Sequence, residues 1–154
     1  MIRVLVLSDS HGSTYAVESA VETYPDAQYI IHLGDGANDM ETTVYTTDAT
    51  VYQVRGNCDG FCSFPDILEE RIGGIPFLIT HGNEYGVKFS LGKLEAEARR
   101  RAVRIALFGH THSPLCEYRD GLYLINPGSL RFGDTYAVID IVGNSIAPRI
   151  VEMR

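Results

Sequence analysis

Cysteine is scarce in this sequence, which has only Cys58, Cys62 and Cys116 among its 154 residues. Three cysteines cannot all pair within one chain, so they do not form a disulfide framework. Cys58 and Cys62 are four residues apart, but a structural zinc site needs four thiolate or imidazole ligands and no second cysteine pair exists. The sequence therefore indicates reduced thiols in a reducing compartment.

Long apolar runs are also missing. The longest ones, such as residues 4–7 and 29–31, have the length of a strand and are far too short to cross a bilayer. Met1 leads directly into a strand-like run, without the basic segment and the small-residue cleavage site of a secretory signal. The sequence therefore predicts a cytoplasmic protein with no membrane partner.

Positive charge is outnumbered, with 13 Lys and Arg against 20 Asp and Glu and a formal net charge of −7. This balance disfavours general nucleic-acid binding, which normally uses a basic face. The one basic cluster, Arg99–Arg101 with Arg104, closes a helical pattern, where cations favour the carbonyl end of the helix dipole. We expect it to be a solvated helix terminus. The 45% hydrophobic and 21% charged residues are an ordinary globular balance, and the length predicts a single domain over residues 1–154.

Hydrophobic periodicity predicts the order β-α-β-(α)-β, followed by a hairpin, a helix and a run of antiparallel strand candidates. Predicted helices cover residues 13–24 with Ser13 as N-cap, a short stretch near 37–46, and 90–101 with Ser90 as N-cap. Predicted strands cover residues 2–7, 28–33, 51–54, 67–72, 75–80, 103–108, 115–119, 122–126, 135–142 and 146–152. This order predicts an α/β fold, a four-layer α/β/β/α sandwich with two mixed β-sheets flanked by helices.

Polar residues that suit divalent metal ions lie just past the ends of predicted strands. They occur in five segments: Asp9-Ser10-His11, Gly34-Asp35, Gly56-Asn57-Cys58-Asp59, His81-Gly82 and Gly109-His110-Thr111-His112. In extended backbone, side chains two residues apart point the same way, so each of the pairs Asp9/His11 and His110/His112 is expected to converge. A single histidine is more often a hydrogen-bonded core residue, but four of the five histidines fall in this series, which indicates a metal site.

In this order, the five segments resemble the calcineurin-like metallophosphoesterases, and the order of elements extends the resemblance over essentially the whole chain. The short length, Asn57-Cys58-Asp59 and Asn126-Pro127-Gly128-Ser129 are similar to the small bacterial and archaeal phosphodiesterase branch of that family. The last segment is expected to be a turn near the site that steadies the ligand loops.

The resemblance implies a site for two divalent ions, with manganese favoured and nickel, iron, zinc or magnesium as alternatives. Asp9, His11 and His112 would hold the first ion. Asn57, His81 and His110 would hold the second, and Asp35 would bridge the two. The resemblance also assigns the catalytic work to Asp35, Asn57, His81 and His110, with a hydroxide shared by both ions attacking phosphorus.

The sequence departs from the family pattern at Cys58, where many members have a histidine proposed as a general acid. A thiol with a pKa of about 8.5 could donate a proton, and a small filler beside the metals is the alternative. Asp59 is expected to orient a ligand or its loop. His32 is expected to be buried and hydrogen-bonded, while Arg55 is either a surface residue or a contact for the substrate phosphate.

Three functions are compatible with these residues. The first is a metal-dependent phosphodiesterase acting on a small phosphate ester, and it is favoured because all seven ligand positions hold competent residues. The second is a non-catalytic metal-binding interaction scaffold, since the retromer complex includes a subunit of this fold that binds partners and also lacks the motif histidine. The third is a phosphomonoesterase or nucleotide phosphatase, which would need cations for a dianionic phosphate where only Arg55 is near. The sequence leaves a homo-oligomer open.

Overall fold

The computed structural model describes residues 1–153, which contain ten strands and three α-helices. The strands are β1 (Ile2–Leu7), β2 (Tyr29–His32), β3 (Thr50–Gln53), β4 (Ile67–Ile72), β5 (Ile75–Thr80), β6 (Ile105–Leu107), β7 (Leu115–Arg119), β8 (Leu122–Asn126), β9 (Thr135–Val142) and β10 (Ser145–Glu152). The helices are α1 (Thr14–Thr23), α2 (Glu41–Thr46) and α3 (Gly92–Arg100), and short 3-10 turns cover Ala37–Met40 and Asn83–Tyr85.

The strands form two five-stranded mixed sheets, as predicted. The first has the order β10-β9-β1-β2-β3, in which β1, β2 and β3 are parallel and β9 is antiparallel to β1. The second has the order β4-β5-β6-β8-β7, in which β5, β6 and β8 are parallel. Because the parallel strands of a sheet end at the same edge, the loops that follow them come together there.

Alternating side chains of each central strand build the layers of the fold. Val4 and Val6 of β1 face the second sheet and pack in one cluster with residues such as Ile79 of β5. Leu5 of β1 faces the other way and packs in a cluster with Val17 of α1. On the far face of the second sheet, residues of β5, β6 and β8 pack against α3. The predicted four-layer α/β/β/α sandwich is confirmed.

Of the two predicted helix caps, Ser13 is confirmed in position and Ser90 is wrong. Ser13 does lie at the N-cap of α1, but its ψ of 73° lies outside the extended region typical of a capping residue, and its side chain makes no cap hydrogen bond. At α3 the N-cap is Leu91, one residue after Ser90. The predicted pairs within α3 do form, with Glu95–Arg99 at 3.0 Å and Glu97–Arg101 at 2.7 Å, so the basic cluster closes a solvated helix end as expected.

The last strands differ from the predicted antiparallel run. Strand β8 pairs antiparallel with β7 but parallel with β6, and β9 leaves the second sheet to pair with β1 in the first. Within residues 1–153, no helix combines the length and the apolar character needed to span a membrane.

Candidate metal centre

The seven predicted ligands lie in loops that follow β1, β2, β3, β5 and β6, and the fold brings six of them together as two triads. One triad is Asp9, His11 and His112, and the other is Asp35, His81 and His110. Within each triad, one candidate donor atom per residue lies within 4.8 Å of the other two. The grouping matches the division that the resemblance implies, with Asp35 standing in the second group.

The first triad is built around one oxygen of Asp9. Asp9 Oδ1 lies 3.1 Å from His112 Nε2 and 3.6 Å from His11 Nε2. The two imidazole Nε2 atoms are 3.3 Å apart. Two nitrogens and one carboxylate oxygen therefore face a common point, a donor set that suits a first-row divalent cation.

Asp35 of the second triad lies between the two groups. Its Oδ2 is 3.2 Å from His81 Nε2 and 3.9 Å from His11 Nε2 of the first triad. His81 Nε2 is also 4.0 Å from Asp9 Oδ1. The His110 ring meets the His81 ring edge to face at 5.1 Å between centroids. A carboxylate in this place can offer oxygen to ions on either side.

Two buried polar atoms at this centre have no hydrogen-bond partner, namely Asp9 Oδ1 and His81 Nε2. The other ring nitrogen, His81 Nδ1, donates to the Leu33 carbonyl at 2.7 Å and so directs Nε2 into the cluster. An unsatisfied buried polar atom costs about 1–3 kcal/mol. A cation held by each triad would satisfy the unpartnered atom of that triad. An imidazole held by a backbone carbonyl is the usual arrangement of a metal-binding histidine.

The charges of the second triad are strongly coupled. Burial raises the pKa of Asp35, but the imidazoles of His81 and His11 and the Cys58 backbone N–H outweigh burial and hold that pKa well below its ordinary value. Burial lowers the pKa of His81, while the carboxylates of Asp35 and Asp9 more than offset this and leave it raised. The carboxylates thus favour positive charge at this point.

Left-handed backbone, rather than extended backbone, aims these side chains. The φ angles are 52° at Asp9, 42° at His11, 59° at Asp35, 69° at His110 and 61° at His112. The expected extended backbone is therefore wrong, because the residues lie beyond the strand ends, but the expected convergence of Asp9 and His11 is confirmed. The two histidines after β6 also separate into different triads. Non-glycine residues in this conformation cost about 1 kcal/mol or more each, and such strain concentrates at functional sites.

Glycines allow the loops after β2 and β3 to touch. A Cβ atom on Gly34, whose φ is 100°, would lie 2.5 Å from the Gly56 nitrogen. A Cβ on Gly56 would overlap the Asp35 carboxylate. A side chain at Gly34 would therefore force the two loops apart, and one at Gly56 would displace the Asp35 carboxylate.

Asp59 holds this contact in place through four backbone N–H groups. Its Oδ1 accepts from Gly36 and Ala37 at 2.9 and 3.0 Å, and its Oδ2 accepts from Asp35 and Gly56 at 2.9 and 2.7 Å. Burial raises the pKa of Asp59, but the four donors outweigh burial and lower it. The prediction that Asp59 orients its loop is confirmed.

The turn at residues 126–129 anchors the loops after β1 and β6. Asn126 Nδ2 donates to the Gly109 carbonyl at 3.1 Å, and Ser129 Oγ donates to the Asp9 carbonyl at 2.8 Å. The expectation that this turn steadies the ligand loops is confirmed.

A buried network lies behind Asp9 and His11. Gly34 N–H donates to His32 Nδ1 at 3.1 Å, so Nδ1 is the acceptor and the ring proton lies on Nε2. His32 Nε2 then donates to Ser10 Oγ at 2.9 Å. Ser10 Oγ in turn donates to Asp39 Oδ2 at 2.6 Å. Complete burial lowers the pKa of His32 to about 4, so the ring is neutral. His32 is buried and hydrogen-bonded, as predicted.

Asn57 and Cys58 lie at the rim of the centre. The Asn57 side chain is exposed, and its Nδ2 contacts Cys58 Sγ at 3.5 Å. The Cys58 backbone N–H donates to Asp35 Oδ1 at 2.8 Å, which leaves Oδ2 for the histidines. Burial raises the pKa of the Cys58 thiol, and the negative charge of Asp35 raises it further. The role of Asn57 as a ligand stays a prediction.

Two residues beside the first triad were missed by sequence reasoning. Arg131 Nη1 donates to the His11 carbonyl at 2.6 Å, and the Phe132 ring stacks on His112 with 5.4 Å between centroids. They follow the turn at residues 126–129, which was the only signal that could have drawn attention to them. Arg55, by contrast, makes two hydrogen bonds to the Asp66 carboxylate at 2.8 and 3.2 Å, and both side chains are exposed. Its interpretation as a surface residue is confirmed.

Comparison with known proteins agrees with this geometry. The Calcineurin-like phosphoesterase superfamily domain matches residues 2–144. The chain belongs to this family. It is similar to the probable metallophosphoesterase YsnB of Bacillus subtilis, at 29% identity over 98% of this chain and 91% of YsnB. It is also similar to the phosphodiesterase MJ0936 of Methanocaldococcus jannaschii, at 27% identity over 82% of this chain and 83% of that protein.

Among solved structures, a conserved protein of Streptococcus pneumoniae described as a predicted phosphoesterase superimposes with a TM-score of 0.83. The match covers 98% of this chain and 89% of that one, and at 24% identity it shows the fold alone. The family is metal-dependent. Family membership and the two triads together support a metal-dependent phosphoesterase.

Proposed function

We propose that the protein is a phosphodiesterase that uses two divalent metal ions to hydrolyse a small phosphate ester. Asp9, His11 and His112 would hold one ion. Asn57, His81 and His110 would hold the other, with Asp35 shared. When bound, such a pair of ions supplies a water-derived nucleophile near neutral pH and stabilises negative charge on the attacking and leaving oxygens.

The observation that carries this proposal is the position of Asp35, which belongs to the second triad and also faces the first. Each triad contains one buried atom without a hydrogen-bond partner. Asp35 Oδ2 lies 3.2 Å from His81 and 3.9 Å from His11, while its Oδ1 is held by the Cys58 N–H. One carboxylate thus faces both groups in a fixed orientation. The donor atoms are oxygen and nitrogen, with no thiolate. Such donors favour manganese or a related ion over a metal that prefers thiolate ligands.

The cavity beside the centre favours a diester over a monoester. It has a volume of about 300 Å³ and reaches from His11 and Asp35 to Cys58 and Phe61. The described residues that line it include Asp39 and Asp59 but no lysine or arginine. A terminal phosphate carries nearly two negative charges and a diester only one. Apart from the bound ions, the lining offers no cationic side chain for the second charge of a monoester.

An interaction scaffold of the same fold is the alternative. A metal-binding scaffold would use the same triads, but it does not need a carboxylate that faces both of them, nor a cavity beside them that admits a substrate. These two features support catalysis.

An activity panel tests the proposal. Metal-free protein would be reloaded with single divalent ions and assayed on a diester, a monoester and a cyclic nucleotide. We expect diester hydrolysis with manganese, and slower hydrolysis of the monoester. Hydrolysis of none of the three substrates with any ion would favour the scaffold, and a preference for the monoester would favour the phosphatase.

A further inference from the structure

The cavity at the metal centre continues into a second, larger one. Four residues line both cavities, namely Ala37, Asn38, Phe61 and Cys62. The second cavity has a volume of about 450 Å³ and runs from these residues toward α2. A group attached to a phosphate at the metal centre can therefore extend into this second cavity without leaving the protein surface. We call it the α2 groove.

The α2 groove is rich in aromatic and apolar side chains. Tyr45 is 87% exposed, Val44 is 44% exposed and the Phe61 side chain is fully exposed, while Phe64 is partly buried. Exposed apolar side chains are common one at a time, but a contiguous group in a concave surface marks a binding site. Burying one such ring against a planar ligand gains about 0.5–1.5 kcal/mol beyond the area that is covered.

The polar groups of the groove select against a second negative charge. Glu41 lies in its wall, and the neighbouring cavity contributes Asp39 and Asp59. No lysine or arginine is among the described residues that line either cavity. Exposed Asn38 and Ser63 offer neutral hydrogen-bonding groups. The occupant that fits is planar, aromatic and uncharged, with hydrogen-bonding groups at its edge.

We propose that the α2 groove binds a planar, uncharged aromatic group, such as a nucleobase, of the diester whose phosphate lies at the metal centre. The position of the phosphate rests on the proposed function, whereas binding of the aromatic group in the groove does not. The shared wall favours a substrate group over a docked protein, because a group attached to a phosphate at the metal centre reaches the groove directly past Ala37, Asn38, Phe61 and Cys62.

Binding of the aromatic group is tested first, without metal or catalysis. Metal-free protein labelled with ¹⁵N would be titrated with adenosine, a neutral and planar probe, and with ribose as the control. We expect amide shifts confined to residues 37–45, 53 and 61–64, and none of comparable size with ribose. Phe61→Ala should weaken adenosine binding by about fivefold. Tyr118→Ala, which removes an exposed ring from β7 of the other sheet, should leave adenosine binding unchanged.

Inhibition constants then connect the groove with the phosphate site. Phenyl methyl phosphate and dimethyl phosphate would compete with a chromogenic diester on manganese-loaded protein. We expect the wild type to prefer the phenyl compound by about fivefold or more, and Phe61→Ala to reduce this preference to within about twofold. An equal change for both inhibitors in Phe61→Ala would overturn the proposal, as would adenosine shifts that lie outside the groove or are absent.

The two failures are distinguishable. Hydrolysis of diesters without adenosine binding in the groove would reject the aromatic subsite alone, and would leave the groove to a protein partner. Adenosine binding in the groove without hydrolysis of any ester would reject the proposed function, and the subsite would then belong to a binding protein.

Discussion

The backbone N–H of Asp35 donates a 2.9 Å hydrogen bond to Oδ2 of Asp59, a residue 24 positions later in the chain. The candidate bridging carboxylate is therefore held in place by the loop that follows the neighbouring strand. Gly56 donates to the same oxygen at 2.7 Å, which ties the two loops together at their point of closest approach.

Replacing Asp59 should loosen the metal centre, although Asp59 is not itself a predicted ligand. In the wild type, each Asp59 oxygen accepts hydrogen bonds from two backbone N–H groups. Asp59→Asn replaces one oxygen by an NH₂ group, which cannot accept them. We therefore expect the free energy of unfolding to fall by about 2–3 kcal/mol. Manganese affinity should fall by about tenfold or more, since outer partners tune metal binding to this extent. Denaturant unfolding and calorimetry measure both. Asp66→Asn, which removes the charge from the exposed pair with Arg55, is the control and should cost under about 1 kcal/mol.

Asp35 should affect catalysis more than any other single carboxylate of the centre. Asp35→Asn keeps the shape but removes the charge that faces both triads, and we expect turnover of an activated diester to fall at least about 100-fold, or about 2.7 kcal/mol in the barrier. Circular dichroism should show an intact fold, because the sheet cores are apolar. The exposed residue Asp48 supplies a matched control, Asp48→Asn. Wild-type turnover in Asp35→Asn would remove Asp35 from the mechanism.

Cys58 distinguishes a filler from a proton donor. If the thiol only fills space, Cys58→Ala should keep activity on a nitrophenyl diester within about tenfold, a barrier change of about 1.4 kcal/mol. If it donates a proton, the loss should grow as the leaving group becomes more basic. Rates for a series of leaving groups decide between the two. A large loss that does not depend on the leaving group would contradict both interpretations and indicate a structural role.

Stability should depend on pH through Asp140 of β9, which lies far along the chain from every predicted ligand. Hydrogen bonds from Arg3 lower the pKa of Asp140 more than burial raises it, and Arg149 adds to the effect. Its contribution is therefore fully present above the ordinary aspartate pKa and is lost as the pH falls through the lowered one. Asp140→Asn should cost about 1–2 kcal/mol at pH 7, and the difference from wild type should begin to narrow below about pH 4 and close as the pH falls through the lowered pKa.

Unfolding curves at a series of pH values check this dependence. Asp26→Asn is the matched control, because Asp26 also pairs with Arg3 at 2.9 Å but its side chain is 57% exposed. It should change the free energy of unfolding by less than about 0.5 kcal/mol. A gap between wild type and Asp140→Asn that does not narrow in acid would contradict the assignment.

Local sequence signals predicted the elements well, because they depend on neighbouring residues. The hairpin of β4 and β5 has the predicted bounds, since Gly73 and Gly74 supply the φ angles of 59° and 81° that its turn needs. The return of β9 to the first sheet could not be predicted from local patterns. Its pairing with β1 joins residues more than 130 positions apart, and it depends on packing between layers.

The candidate site was predictable in its residue types but not in its geometry. The spacing of aspartate and histidine near strand ends indicated the ligands. It could not show that left-handed backbone aims them, because positive φ is uncommon outside glycine and is imposed here by the surrounding loops. The contacts of Arg131 and Phe132 with the first triad likewise arise from a turn that carries no metal-binding signal of its own.

The proposal that two metal ions are needed for diester hydrolysis is tested by a metal titration of diesterase activity. Metal-free protein at known concentration would receive manganese in steps, and the initial rate on an activated diester would be measured at each ratio. We expect no hydrolysis without metal and a rate that rises until two ions are present per chain. Full activity at one ion per chain, or no activity at any ratio with any divalent ion, would contradict it.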